Sequence, residues 1–415
     1  MKSKSSSVLE LGEIIETITP PKKIQTSEFL ETGNYPIVDQ SPPQVAGWTN
    51  DITALVHPPK EGLIVFGDHT CVLKFETKPF AQGADGIKIL KVKKEINSHF
   101  VYAHLKAFPL LNDGYKRHFS ELKRLKILIP DLKIQNYISA IHQIIDSKIA
   151  ANNALSKILE EIAQIIFKSW FIDFDPVKAN MVGEKPAGMD AATAALFPDA
   201  MEESEIGLIP KGWSWISVGE IASVIDCLHS KKPELLEEGF PYLQLDTISD
   251  TGVLRFENAG LISKEDYDKW TSRIEVQGGD CLITNVGRVG AVSQVPDHFK
   301  AAIGRNITAL RPKDLRLHRS FLIVALLSDF MKKEIKRNTD SGTILEALNV
   351  KNIPKLIIPG PSNFVLQEFA KLCDPIQLQL HELHKMNVNL KRIRDSLLPR
   401  LISGELKIPE DMLAS

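Results

Sequence analysis

The same series of chain elements occurs twice in this sequence, in the same order, and each series ends in a long segment with apolar residues seven apart. "LGEIIETI" (11–18) is echoed by "VGEIASVI" (218–225), and "GNYPIVDQS" (33–41) by "GFPYLQLDTIS" (239–249). "LKILIPD" (125–131) returns as "PKLIIPG" (354–360), each time a buried-strand phrase that launches a helical pattern. Short β-type segments and one helix-like stretch, "NSHFVYAHLKAF" or "HRSFLIVALLSDF", lie between. A chain that repeats its elements at so long a period builds two similar units rather than one enlarged core. Its 415 residues agree, because single cores stop growing near ~250–300 residues. The offset between copies grows from 207 (218 − 11) to 229 (356 − 127), so the second half carries about 22 extra residues, mostly within 283–312.

The two long segments read as coiled-coil helices. In the second, Phe369, Ile376, Leu383, Leu390 and Leu397 form an a row, with Leu372, Met386 and Ile393 at d; Gln379 breaks the d row, and Pro375 should bend or restart the helix. The first has Ile138, Ile145, Leu159 and Ile166 at a and Ile141, Leu155 and Ile162 at d, interrupted by Lys148 and Asn152. Polar residues inside such a seam set register or partner choice at a cost in stability. If the helices pair, the quasi-symmetry of the halves makes them antiparallel. A helix over 135–171 would be a rod of ~55 Å, somewhat longer than one ~34 Å turn of B-DNA.

Net charge is −2, yet its distribution is uneven. Residues 91–133 hold ten Lys/Arg against four Asp/Glu, and 288–337 eleven against four, while the Pro-, Gly- and Ala-rich segment 173–205 holds two Lys against eight Asp/Glu. Two basic segments of this kind are the footprint of phosphate contacts, or else solvated faces. In "GLIPKGW" Trp213 and Trp215 are apolar anchors for the start of the second unit. Cys71, Cys227, Cys281 and Cys373 are scattered singly and read as buried thiols. Neither a signal-peptide core nor an apolar run of membrane length occurs, so the expectation is a cytoplasmic protein with no membrane partner.

Catalytic patterns are missing. There is no G-x-x-x-x-G-K-[ST], no G-x-G-x-x-G, and no Asn/Asp-Pro-Pro-aromatic tetrapeptide; "SPPQ" and "HPPK" lack the acid or amide and the ring. "PDLK" (130–133) lacks the companion carboxylate of a nuclease. "HELH" (381–384) has the wrong spacing for a metal pair, and both histidines are expected on the outer helix face. The expectation is no enzyme, no metal and no cofactor in this chain.

Polar loops offer a different chemistry. "VFGDHTCVLKF" (65–75) places Asp68, His69 and Thr70 in a glycine-led turn between two β runs, presenting polar groups to a partner. "TNVGRVGAV" (284–292) projects Asn285 and Arg288 beside two glycines, and "IGRNIT" (303–308) repeats the pair as Arg305 and Asn306. Asn and Arg can read adenine and guanine edges bidentately; equally, these could be strand-edge residues bonded to backbone. "NTDSGTILEALN" (338–349) leads through Ser341 and Thr343 into a short helical pattern, either a phosphate contact through free N–H groups or simple capping. Its counterpart, "DGYKRHFSELKRL" (113–125), offers Lys116, Arg117 and His118.

Specific phrases give the chain a family resemblance: "LEEIAQIIFKSWFIDFDPVKAN" (159–180), "GLIPKGWSWISVGEIAS" (207–223) and "NLKRIRDSLLPRLISGEL" (389–406). It resembles the DNA specificity subunit of type I restriction-modification systems over nearly its whole length, and "YPIVDQSPPQVAGWTND" with "FGDHTCVLKF" looks like a target-recognition domain of that family. The resemblance implies an α+β fold: two quasi-repeated β-rich target-recognition domains separated by two long antiparallel coiled-coil helices. The divisions would be 1–133 for the first domain, 134–172 for the first spacer helix, 173–210 for an acidic linker, 211–360 for the second domain and 361–405 for the second helix. It further implies a non-catalytic adaptor on double-stranded DNA, reading a bipartite, asymmetric target and docking two methyltransferase subunits and, through them, restriction subunits. S-adenosylmethionine, ATP and Mg2+ would belong to those partners. The candidate DNA contacts are then Gln40, Ser41, Asp68, His69, Thr70, Lys116, Arg117 and His118 in the first half, and Gln244, Asn285, Arg288, Arg305, Asn306, Ser341 and Thr343 in the second.

Overall fold

A computed structural model describes residues 7–83, 86–112, 114, 116–340 and 346–413. The chain divides into two compact units, residues 1–150 with 389–415 and residues 151–388.

In the first unit, Ser7–Glu10 pairs antiparallel with Lys126–Ile129, the strand of the "LKILIPD" phrase. One helical turn follows, Leu11–Ile14, closed by a capping box in which the Glu10 N–H donates to the Glu13 carboxylate at 2.8 Å. The chain then enters a sheet ordered Ile15–Ile18, Ile87–Val92, Leu63–Gly67, Leu73–Glu76. In a second, five-stranded sheet Tyr35–Val38 runs parallel to Phe80–Gly83. Helix Ser98–Ala107 is capped by the Asn97 side chain, which accepts from the Phe100 N–H at 2.9 Å. Its Phe100 and Val101 join Leu11, Phe66, Leu90 and Ile127 in the core.

The second unit is built the same way. Ser214–Ser217 pairs antiparallel with Ile357–Gly360, the "PKLIIPG" strand. The turn Val218–Ile221 carries the matching box, the Ser217 N–H donating to Glu220 at 2.8 Å. The sheet is ordered Ala222–Asp226, Ile307–Pro312, Cys281–Thr284, Val292–Gln294, Gly252–Val253, and Phe240–Leu243 runs parallel to Ala302–Ile303. Helix Leu315–Leu327 starts at Asp314, whose carboxylate accepts from the Arg316 N–H at 2.9 Å. Each sequence echo is therefore one element used twice.

The acidic segment is folded into this second unit. Helix Asp175–Met181 and the hairpin Met201–Ser204 with Gly207–Pro210 turn Phe174, Val177, Phe197 and Ile209 into the core, leaving the carboxylates outside. Phe167, Trp170, Phe171, Trp213, Phe321 and Phe369 form an aromatic cluster there, with Phe171 5.1 Å from the rings of both Phe321 and Phe369. Burying each such ring contributes about 2–3 kcal/mol. Trp213 is a core anchor, whereas Trp215 is half-buried and stacks on Phe330 at 5.5 Å. Cys227, Cys281 and Cys373 are buried thiols and Cys71 is half-buried.

The long helices are Leu132–Phe167, continuing into a π turn at Lys168–Ile172, and Asn363–Ile402. The second is unbroken at Pro375; its packing on either side outweighs the one lost hydrogen bond. In the first unit Arg394 donates to Asp146 at 2.9 Å, and in the second Asn152 donates to Asn387 at 2.8 Å, so in each unit the segments pair antiparallel. The buried seam departs from the a/d expectation. It uses the predicted a row with the residue four later, as in Leu383 with Asn387 or Phe369 with Cys373. The predicted d residues Leu155 (42%), Ile162 (40%), Leu372 (47%), Met386 (38%) and Ile393 (52%) are exposed. Positions i+3 and i+4 flank the a row on opposite sides, so a heptad a row alone does not say which flank meets the neighbour. The same rotation corrects His381: expected outside, it is buried, while His384 bonds Glu257 at 2.9 Å.

Candidate nucleic-acid interface

In the first unit the predicted residues converge on one corner, where three loops leave the sheet ends. The turn after Leu63–Gly67 carries Asp68, His69 and Thr70, and Cys71 has φ of 57°. Thr70 donates its hydroxyl to the Gln40 carbonyl at 2.8 Å, joining this turn to the loop after Tyr35–Val38. The Asp68 carboxylate accepts from the Phe119 N–H at 2.8 Å and its carbonyl from the His118 N–H at 2.8 Å; the His69 ring lies 3.1 Å from the Lys116 carbonyl. Gln40, Ser41, Asp68, His69, Thr70, Lys116, Arg117 and His118 thus occupy one set of linked loops.

Their exposures divide the work. Asp68 and His118 are buried and hold the loops together, Arg117 and Lys116 are exposed, and Gln40, Ser41, His69 and Thr70 are half-buried. Beneath Ser41, whose N–H donates to Asp39 at 2.9 Å, the Lys74 ammonium is buried 3.7 Å from the same Asp39. Burial pulls the Lys74 pKa down, and Asp39 opposes that. Sequence reasoning missed this support; a lysine inside a β run was its only signal.

The equivalent corner of the second unit is the end of the parallel pair Phe240–Leu243 and Ala302–Ile303. The Gly304 N–H donates to the Leu243 carbonyl at 2.8 Å. A Cβ on Gly304 would stand 2.7 Å from that carbonyl oxygen and 2.8 Å from the Tyr242 hydroxyl, so the turn needs glycine for close approach. Burial pushes the Tyr242 phenol up to about 12. Gln244 and Arg305 line a groove of about 390 Å³ with Lys232, Leu245 and Asp246. Arg305 is exposed and donates its Nε–H to the Ser230 carbonyl at 2.7 Å.

The neighbouring hairpin turn brings Asn285 to Asn306 through a backbone bond of 3.0 Å, and Asn306 adopts φ of 67°, which asparagine tolerates. Asn285 is buried, and its Oδ1 has no hydrogen-bond partner among the described residues. Arg288 turns away from this pair: it donates to the Ile248 carbonyl at 2.8 Å and pairs with Asp250. Ser341 and Thr343 lie outside the described residues. The flanking Thr339–Asp340 and Ala347–Leu348 pair as strands; the short helical pattern had been expected after Thr343, so Ala347–Leu348 departs from it.

Registers identify the two corners with each other. Ile37 and Val38 face Ala81 and Gln82 as Tyr242 and Leu243 face Ala302 and Ile303, which sets Ser41 in the place of Asp246. Asp246 and Lys232 were not singled out from the sequence; the aligned prolines Pro36 and Pro241 were the available signal for Asp246.

Asp226, Cys227 and His229 could approach a metal ion, but the Asp226 carboxylate already lies 2.7 Å from the His229 ring and accepts from the Cys227 N–H at 2.9 Å. Burial raises the Cys227 thiol pKa. No helix among the described residues is long and apolar enough to cross a membrane.

Residues 4–162 match the family model of the type I restriction modification DNA specificity domain. The chain is 26% identical over 332 residues to the type I restriction enzyme HindI specificity subunit of Haemophilus influenzae, an alignment covering 69% of this chain and 70% of that protein. It is 28% identical over 300 residues to the MjaIX specificity subunit of Methanocaldococcus jannaschii, covering 70% of this chain and 63% of the relative. The crystal structure of a type I restriction-modification S subunit from M. genitalium has the same fold, with a TM-score of 0.60 and 18% identity over 96% of both chains.

Proposed function

This chain belongs to the type I restriction-modification DNA specificity family, and from that premise we propose how its parts divide the work of recognition. As a specificity subunit it is the non-catalytic, sequence-reading component. Each unit reads one half of a bipartite, asymmetric double-stranded target through its loop corner, and the paired long helices set the gap between the halves. Two methyltransferase subunits dock on the helices and bring S-adenosylmethionine; restriction subunits that use ATP and Mg2+ join through them.

The observation that carries this reading is the duplicated corner: matching strand ends carry polar side chains in both units, on different residues, Gln40 and Ser41 in the first and Gln244 and Asp246 in the second. Unlike loops on like frames suit two unlike half-sites. The docking step is supported by Leu155, Ile158, Ile162 and Ile165, which make an outward apolar stripe at helical spacing on the first long helix, 40% to 66% exposed. An exposed stripe of this length marks an interaction surface.

The test is to co-express the full chain with its methyltransferase partner and map methylated adenines in the host genome. A bipartite motif with a constant gap is expected, together with DNA binding that weakens steeply between low and moderate salt. A single continuous palindrome, or DNA binding indifferent to salt, overturns the reading. Leu155→Asp with Ile162→Asp should abolish co-purification of the methyltransferase while leaving the circular dichroism spectrum unchanged.

A further inference from the structure

The groove at the second corner holds a side chain that phosphate binding alone does not explain. Asp246 is exposed and sits with Lys232 and Arg305 on the groove's lining, yet among the described residues it forms no ion pair with either. A carboxylate facing the DNA backbone repels it, so an acid kept inside a basic groove is matched to a donor. The donor that duplex DNA offers to a carboxylate is an exposed base amino group, and the characteristic carboxylate contact is to cytosine N4 in the major groove.

Arg305 supplies the complementary half. Its Nε–H is spent on the Ser230 carbonyl, which orients the guanidinium and leaves both terminal nitrogens without a hydrogen bond among the described residues. Two parallel N–H donors fit guanine O6 and N7. The mount is rigid: Thr247 donates its hydroxyl to the Gln244 carbonyl at 2.6 Å, closing the turn that carries Asp246. The Gly304 turn, pressed on Tyr242, carries Arg305. Separated by more than an ion-pair distance, acid and guanidinium can address the two partners of one base pair instead of each other.

We propose that Asp246 accepts a hydrogen bond from a cytosine amino group and, with Arg305, recognises a G·C pair in the half-site read by the second unit. Lys232, by contrast, contacts phosphate. The proposal rests on the DNA-reading role above and assigns the base that one named side chain selects.

The experiment uses the full chain with its methyltransferase partner, comparing methylated-site motifs for wild type, Asp246→Ala, Asp246→Asn and Lys232→Ala. Asp246→Ala should lose its preference at one G·C position of one half-site, a drop in discrimination of roughly 5- to 100-fold. The other half-site stays unchanged and serves as the internal control for folding. Asp246→Asn, nearly isosteric but carrying donors, should change the base preferred at that position. The dependence of binding on salt should be unaltered in both, whereas Lys232→Ala should lower the slope of log K against log salt by about 0.9 and leave the motif intact. An Asp246→Ala motif identical to wild type at every position overturns the proposal and leaves the DNA-reading role standing. If Asp246→Ala abolishes methylation altogether, Asp246→Asn decides, and an unchanged motif there overturns it. A wild type without any bipartite motif defeats the underlying role instead.

Discussion

Asn387 offers a sharp test of how the helix pair is held. It is 6% exposed and Asn152 is 2% exposed; the Asn387 carbonyl accepts from Asn152 at 2.8 Å while its amide donates to Asn153 at 2.8 Å. Replacing Asn387 by Ala strands the Asn152 amide in the seam. An unsatisfied buried amide costs about 1–3 kcal/mol, whereas exposed Asn153 recovers its bond from water. Replacing both partners, Asn152→Leu with Asn387→Leu, removes the polar groups together and should be neutral or stabilising, because burying two apolar side chains repays the lost bond. At about 2–4 °C per kcal/mol for a unit of this size, the single variant should melt roughly 4–8 °C lower if it loses about 2 kcal/mol. Tryptophan fluorescence reads this directly, since Trp170, Trp213, Trp215 and Trp270 lie in the second unit and Trp48 alone in the first. Losses of Asn152→Leu and Asn387→Leu, each measured singly, that simply add in the double variant would refute the reasoning, as coupled partners must show an interaction energy.

Two further outcomes follow from burial. His104 and His381, 8% and 7% exposed, are pushed down to about 4 by burial. Their neutral forms are the folded ones, so the unfolded chain takes up protons first; stability is full above pH ~6.5 and falls as pH drops toward 4, by about 2 kcal/mol per histidine at pH 5. Urea midpoints at pH 7 and pH 5 measure the loss, and His381→Leu should flatten the dependence in the second unit; an unchanged slope would contradict it. Gly304→Ala must move either the Leu243 carbonyl or the Tyr242 hydroxyl and should cost about 1–3 kcal/mol, with degenerate reading confined to one half-site in the methylated-site map; a motif sharp in both halves would count against the close contact.

Much of the frame could be read from the sequence because repetition reports topology. The capping residues Glu13 and Glu220 and the strand phrases "LKILIPD" and "PKLIIPG" fall at matching points of both units because the same hydrogen bonds begin and end both frames. Heptad spacing revealed the long helices but not their orientation: Leu155 and Ile162 satisfy an a/d pattern as well as Ala163 satisfies burial, and only the neighbouring helix selects between them. His381 was misplaced by the same ambiguity. In the proposed site, loops flanked by strands announced themselves through glycine and polar clusters, so Asp68, His69 and Thr70 were singled out and do share one turn. Their exposure was not legible, since whether Asp68 faces out or accepts the Phe119 N–H depends on a loop 51 residues away.

The corner geometry lets the two units carry different side chains on like frames. What fixes each loop is mostly backbone: Thr70 bonds the Gln40 carbonyl, Thr247 the Gln244 carbonyl, and the Gly304 N–H the Leu243 carbonyl. Backbone acceptors are indifferent to the side chains projecting beside them, so the tip can carry Ser41 in one unit and Asp246 in the other without disturbing its support. The loop tips are therefore free to differ between the units, while the capping boxes and the paired strands recur in both. For the proposed role, this separation lets the loop tips change while the support beneath them is kept.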